Sequence, residues 1–336
     1  MVTIYDIAKS MGLAPSTVSK AMLGYKAIPE ATRAKVLAAA REMGYIRNNT
    51  ARFLAKGVSN NIGILTCLSN GKGPFSHRLF MAISDSFQEA MTADGYDLLF
   101  ISHNVNSKGE TYLDNCLSRQ VSGVVVFGQL YNPEVVEVTK SGLPVVGFDY
   151  IGDDISGVTS DNYRATAGLC QYLIDRGRRN ILFIAGDPNQ VTDIRTGAFR
   201  DTLVRNRIPF RPEMVAAGTY LDPAATARMT ALLLEKPNRP DAIMYPDDES
   251  ALAGYSAAAA LGFRVPADLA LTGFDGLGEF ATVRPRLTTV QQDTARIGAA
   301  LAKELLRLIR GHIQGKSLPK PCSIEIPSLL IKGETA

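Results

Sequence analysis

Residues 3–20 read TIYDIAKSMGLAPSTVSK, and this stretch decides how the chain begins. Thr3 and Asp6 stand three apart in a capping-box pattern, so a helix is expected from Thr3 to about Ser10 with Ile4, Ile7 and Ala8 on one face. Met11-Gly12-Leu13 reads as a tight turn, because Gly12 supplies a backbone angle that other residues resist. Pro15 opens a second helix, where its missing N–H costs nothing. That helix turns Val18, Met22 and Leu23 inward and Ser16, Thr17, Ser19 and Lys20 outward. Ile28-Pro29-Glu30 then opens a third helix of about 14 residues, with the stripe Val36, Leu37, Ala40 and Met43, which Gly44 ends. Two short helices joined by a glycine turn and buttressed by a third form a helix-turn-helix headpiece. Side chains as short as Ser16, Thr17 and Ser19 let a backbone come close to a DNA groove.

The charge distribution agrees. Residues 1–60 hold nine Lys/Arg against three Asp/Glu, a net +6, while the remaining residues sum to −3. A basic end on a mildly acidic body suits a polyanion-binding module attached to something with another task. The 336 residues leave room for two or three domains at roughly 100–200 each. At 46% hydrophobic and 21% charged, the composition is that of a folded globular protein. No apolar run is long enough to cross a bilayer, and the first residues lack the pattern of a secretory signal. The four cysteines, Cys67, Cys116, Cys170 and Cys322, are scattered, which predicts free thiols and a cytoplasmic chain.

The stretches 2–8 (VTIYDIA), 12–20 (GLAPSTVSK) and 45–48 (YIRN) resemble the headpiece of LacI/GalR transcription regulators. The resemblance implies that Pro15, Ser16 and Lys20 read base edges, while Thr17, Ser19 and Asn48 fix the headpiece on the DNA backbone. Thr3 and Tyr5 join them as DNA-contact candidates. Lys20 stands where arginine is common, so guanine readout is reduced to a point-charge contact. Arg47 stands in place of a frequent proline, and Ala14 in place of a serine N-cap. Residues 48–57 (NNTARFLAKG) are too short for an autonomous helix by roughly five residues. In the family this hinge segment folds on DNA and pairs with its dimer mate in the minor groove. There the residue matching Leu54 wedges a base step and the one matching Ala51 lies on the groove floor.

From Asn61 the pattern changes to short apolar runs at 62–68, 97–101, 123–127, 145–148, 181–185, 242–245 and 269–274. Amphipathic stretches at 78–93, 163–176, 195–206, 224–235, 249–261 and 295–310 lie between them. This alternation argues for doubly wound α/β structure with parallel strands covered on both faces. There are too many strands for one modest sheet, so two lobes are expected, with a ligand cleft between them beyond the strand ends. Expected boundaries are 1–46 for the headpiece, 47–60 for hinge and linker, and 61–336 for an effector-binding and dimerisation core. Its first lobe would hold about 61–160 and 292–322, its second about 161–291 and 323–336.

The LacI/GalR resemblance continues through Gly186, 195–199 (RTGAF), Asp247-Asp248 with Ala251, and 265–275 (VPADLALTGFD). It implies a two-lobed α/β core like the periplasmic binding proteins, crossed three times by the chain. Asp149, Arg195, Asp247 and Asp275 would then line the effector cleft, with Phe75 beside it and Tyr220 covering the ligand. Carboxylates and a guanidinium can each engage adjacent hydroxyls, and an aromatic face packs on a sugar's C–H surface. Asp247 stands where asparagine is common, which would shift preference toward polyols or amine-bearing ligands. His77 and Arg78 follow Ser76 within reach of the cleft, with solvated helix surface the expected place for both.

No nucleophile elbow, zincin motif or phosphate-binding loop is present, so the expectation is a non-enzyme without metal or cofactor. The reading is a homodimeric repressor of carbohydrate-related genes on a pseudo-palindromic operator, released by a small sugar. The absence of a leucine-heptad tail favours a dimer over a tetramer. The alternatives are a corepressor-dependent regulator, or a cytoplasmic solute-binding protein with no role on DNA.

Overall fold

The computed structural model describes residues 2–22, 24–45, 59–68, 76–102, 109–128, 130–150, 152–278, 284–314 and 317–336. The hinge candidates Asn48, Ala51 and Leu54, and the cleft candidate Phe75, lie outside them. The chain divides into two units, Met1–Ser59 and Asn60–Ala336.

The first unit consists of α1 (Ile4–Met11), α2 (Pro15–Met22) and α3 (Glu30–Glu42). The capping box forms as expected: the Asp6 N–H donates to the Thr3 hydroxyl oxygen, and the Asp6 carboxylate accepts from the Thr3 N–H at 2.8 Å. Gly12 ends α1 in the left-handed region at φ 64°, and Leu13 N–H reaches back to Ala8 O. Ile7, Ala8, Val18, Ala21, Val36 and Ala40 form the small core of this unit. Leu37, expected in the apolar stripe, is instead 41% exposed. One residue on from Val36 is a step of about 100°, which carries it off the buried face.

The second unit holds two α/β lobes. In the first, β1 (Asn61–Cys67), β2 (Asp97–Ile101), β3 (Val121–Gly128), β4 (Val145–Phe148), β5 (Ser156–Ser160) and β11 (Ser323–Ile326) form a parallel sheet in the order β11-β5-β4-β3-β1-β2. Helices α4 (Arg78–Ala93) and α11 (Thr294–Ile313) cover one face through Ile83, Phe87, Leu301 and Leu305. Truncating such a fully buried leucine to alanine costs about 2–5 kcal/mol. Helices α5 (Tyr112–Ser118) and α6 (Pro133–Lys140) cover the other face through Cys116, Val135 and Val138.

In the second lobe, β6 (Ile181–Ile184), β7 (Val215–Ala216), β8 (Ala242–Met244) and β9 (Ala270–Thr272) form a parallel sheet in the order β7-β6-β8-β9. Helices α7 (Asn162–Asp175) and α8 (Gln190–Arg205) pack on one face, α9 (Pro223–Leu234) and α10 (Asp248–Ala260) on the other. An antiparallel pair, β10 (Thr289–Gln291) with β12 (Leu329–Ile331), extends this lobe.

The expected lobe assignment needs one correction. Residues 323–336 were assigned to the second lobe as a block, but β11 pairs in parallel with β5 and completes the edge of the first sheet. Only from Leu329 does the chain join the second lobe. The chain therefore crosses between lobes after Ser160, after Gln291 and again after Ile326.

Candidate functional site

In the first unit, α2 carries the residues expected at a DNA groove. Ser16 and Lys20 are exposed, Pro15, Thr17 and Ser19 are half-buried, and Tyr5 on α1 is 73% exposed. Thr17 and Val18 N–H both donate to Ala14 O, so the helix starts there although alanine offers no side-chain cap. Thr3 is exposed, but its hydroxyl donates to Asp6 at 2.7 Å, which gives it a structural task as well. Arg33 counts among the basic residues of this end, yet its guanidinium donates to Gly24 O and Tyr25 O and fixes the turn after α2. Among the described residues, the exposed polar face of this unit thus includes Ser16 and Lys20 on α2 and Tyr5 on α1.

In the second unit, a cavity of about 420 Å³ is lined by residues of both lobes. Asp149, Arg195, Tyr220, Asp247 and Asp275 all lie in its wall. Two of them sit at left-handed backbone positions just past strand ends, Asp149 at φ 56° after β4 and Asp275 at φ 105° after β9. Positive φ in non-glycine residues concentrates where a side chain has a task to perform.

Arg195 projects from α8 and is only 4% exposed. Its Nε donates to Asn162 Oδ1 at 2.8 Å, its Nη1 to Pro246 O at 3.0 Å, and its plane lies 3.5 Å from the centre of the Phe274 ring. These contacts aim the guanidinium rather than leave it to wander. Asp247 caps α10, accepting from Ser250 N–H at 2.7 Å and from Leu221 N–H at 3.0 Å. Asp275 accepts from Gln292 Nε2 at 2.7 Å, and Asp149 from the Thr159 hydroxyl at 2.8 Å.

Burial pushes the Asp149, Asp247 and Asp275 carboxyls upward, Asp275 the most, and the Arg195 charge opposes the rise in all three. Asp248, behind the wall, is pushed up to about 7 by burial, with Asp247 adding to the rise. Its carboxylate holds the Thr289 hydroxyl and Gly276 N–H.

Tyr220 is positioned by its N–H on Asp187 and by a 2.9 Å hydrogen bond between its hydroxyl and that of Thr192. Its ring lies directly over Gly186, where an added Cβ would come within 2.0 Å of it. That close approach explains the glycine at the end of β6.

Sequence reasoning missed part of this wall. His77 takes the alternative rather than the expected place: it lines the cavity instead of solvated helix surface, with its ring stacked 3.7 Å from Phe80. The Phe80 ring and the apolar end of the first sheet draw it in. Burial pulls its pKa down to about 4, and its buried Nδ1 has no partner among the described residues. Gln292, Tyr131, Tyr150, Asp187, Asn189 and Gln190 also line the cavity without having been singled out. Single polar residues at no fixed spacing give no signal. Gln292 follows β10 directly, at one of the three lobe crossings, and only the topology brings it to Asp275. Among the described residues there is no cluster suited to hold a metal ion, and no helix is long and apolar enough to cross a membrane.

The profile of bacterial regulatory proteins of the lacI family matches residues 3–48, and that of a periplasmic binding protein-like domain matches residues 170–335. Catabolite control protein A of Priestia megaterium is 30% identical over 323 residues, covering 94% of this chain and 95% of that protein. The chain belongs to the LacI family. Another LacI-family relative, the probable HTH-type transcriptional repressor ExuR of Bacillus subtilis (strain 168), is 29% identical over 318 residues, 92% of each chain. Among solved structures, the Lac repressor dimer bound to operator and the anti-inducer ONPF aligns at TM-score 0.83, with 24% identity over 99% of this chain and 98% of that one. The complex of the regulator CelR with cellobiose aligns at TM-score 0.70, with 22% identity over the full length of both. These structures share the fold of headpiece helices followed by a two-lobed α/β core. As a LacI-family member the chain is a DNA-binding transcriptional regulator, and homodimers are typical of the family.

Proposed function

We propose that this LacI-family regulator represses carbohydrate-related genes from a pseudo-palindromic operator and is released by a small sugar bound between its lobes. The observation that carries the reading is the interlobe cavity, where Asp149, Arg195 and Asp275 are held around one space and the Tyr220 ring forms part of its wall. Fixed carboxylates and a guanidinium suit vicinal hydroxyls, and a positioned aromatic face suits a sugar ring. The CelR–cellobiose complex and the structure of a LacI-family regulator from Enterococcus faecium with bound ribose support a sugar in this fold. Two headpieces in a two-fold dimer match two half-sites. Pro15, Ser16 and Lys20 read base edges, Thr17, Ser19 and Asn48 hold the DNA backbone with Thr3 and Tyr5 beside them, and Ala51 and Leu54 enter the minor groove. A sugar that binds the two lobe arrangements unequally shifts the equilibrium between operator-bound and free protein; tight binding alone would shift nothing.

The test is capture of genomic DNA fragments on the purified protein at moderate salt, then release by individual sugars. Enrichment of a palindromic site beside sugar transporter or glycosidase genes is expected, with binding that falls steeply as salt rises. Leu54→Ala, outside the described residues, is expected to weaken specific binding while leaving sugar binding unchanged. Capture without any site preference would overturn the reading.

A further inference from the structure

The cavity wall is unbalanced in charge. It carries four carboxylates, Asp149, Asp187, Asp247 and Asp275, against the single guanidinium of Arg195 among the described residues. Arg195 is itself engaged by Asn162, Pro246 O and the Phe274 ring, and none of its hydrogen bonds goes to the four carboxylates. Asp247 is well supplied with donors at the start of α10. Asp275, only 7% exposed, takes its side-chain bond from Gln292, and an ionised carboxylate has room for about four. The first lobe adds His77, which lines the same wall on a ring fixed against Phe80, its buried Nδ1 without a partner among the described residues. With its pKa drawn down to about 4, that imidazole stays neutral at physiological pH and supplies no positive charge.

A wall this rich in acceptors and poor in cations selects for donors and for positive charge. We propose that the ligand of this cavity is a hydroxylated amine, an amino sugar or amino polyol whose ammonium group faces Asp275 and Asp149. The inference rests on the cavity being the effector site. An ammonium group offers three donors and no acceptor, and it brings the charge that buried carboxylates require. A neutral sugar hydroxyl both donates and accepts, and it offers the buried carboxyls no charge to offset the burial that disfavours their ionised form. A uronate or sugar phosphate would set like charge against like.

The experiment is calorimetric binding to the full-length protein at neutral pH with three matched sets: glucose, glucosamine and glucuronate, and the galactose and mannose equivalents. In at least one set the amine is expected to bind about tenfold or more tighter than its neutral congener, with no uptake of the uronate. Asp275→Asn should then abolish most of the amine's advantage while changing neutral-sugar affinity much less; a merely structural role would lower both alike. A cooperative core melting transition in the variant reports that it is folded, and should it fail to fold, the comparison within the sets stands by itself. If a neutral or anionic member binds as well as the amine in every set that binds, the inference is overturned and the sugar reading survives. If no member binds, the sugar reading falls and takes the inference with it.

Discussion

Arg78 on α4 of the first lobe and Glu249 on α10 of the second form an ion pair of 3.1 Å that joins the two lobes. Their side chains are 52% and 27% exposed, so the pair contributes no more than about 1 kcal/mol. That is small beside either lobe's core but sizeable in a balance between two lobe arrangements, where it amounts to about fivefold in an equilibrium constant. Arg78→Ala and Glu249→Ala should each weaken effector binding severalfold without measurable loss of Tm. The double variant should be no weaker than either single one. Additive effects in such a cycle would show that the two side chains act separately.

Arg195→Lys tests the geometry of the cavity. A lysine keeps the charge but cannot bond Asn162 and Pro246 O with a planar fork while lying on Phe274. Effector affinity is expected to drop by about tenfold or more, with operator affinity unchanged. Titration of effector into the protein–operator complex measures both, and release at the original effector concentration would refute the role given to this residue.

Gly186→Ala places a methyl group inside the Tyr220 ring. The ring has to leave, because the other side of the clash is backbone. The variant should bind effector as poorly as Tyr220→Ala, and combining the two should add nothing. Independent losses would mean that Gly186 is there for another reason.

The two units should respond to pH in opposite senses. Burial raises the folded pKa of Asp248 to about 7, so its contribution is full below the unfolded value near 4 and is lost as pH rises through about 7. Asp149, Asp247 and Asp275 shift in the same direction. In the headpiece, hydrogen bonds from Thr3 lower the pKa of Asp6, and that stability is lost as pH falls through the depressed value. Calorimetry at pH values of about 5 and 8 should show the core melting several degrees higher at the lower one. Asp248→Asn can keep the Gly276 and Thr289 contacts, and it should narrow that difference. A core transition that rises with pH would contradict the assignment.

The elements that could be read directly from the sequence were those whose apolar pattern carries the fold. The expected helix over 78–93 and strands at 97–101 and 145–148 are observed with those boundaries. β5, Ser156–Ser160, left no such trace. Its SGVTS sequence has one apolar residue beyond glycine, yet all five positions are buried. The polar groups are matched one by one: Ser156 donates to Glu304, Thr159 to Asp149, and Ser160 to Gln292. Partners 10 to 148 residues away in the chain are invisible to any periodicity. The same holds in the cavity. The carboxylates and Arg195 were expected from motif resemblance, whereas His77 and Gln292 owe their places to the stacking on Phe80 and to a chain crossing.

The third crossing has a consequence for synthesis. The first sheet lacks its edge until β11 pairs with β5, and the second lobe lacks the strand that pairs with β10 until Leu329–Ile331 arrives. Thr335 then donates to Leu271 O and accepts from Thr288 N–H, tying the end of the chain to β9 at the edge of that sheet. Neither lobe can close while the ribosome is still short of residue 323, however long the chain already exposed. The described core of the headpiece draws only on residues 2–45, so it can fold as soon as that stretch emerges. A nascent chain therefore gains its DNA-reading end well before its ligand-sensing end, and both lobes are completed together by the same short segment.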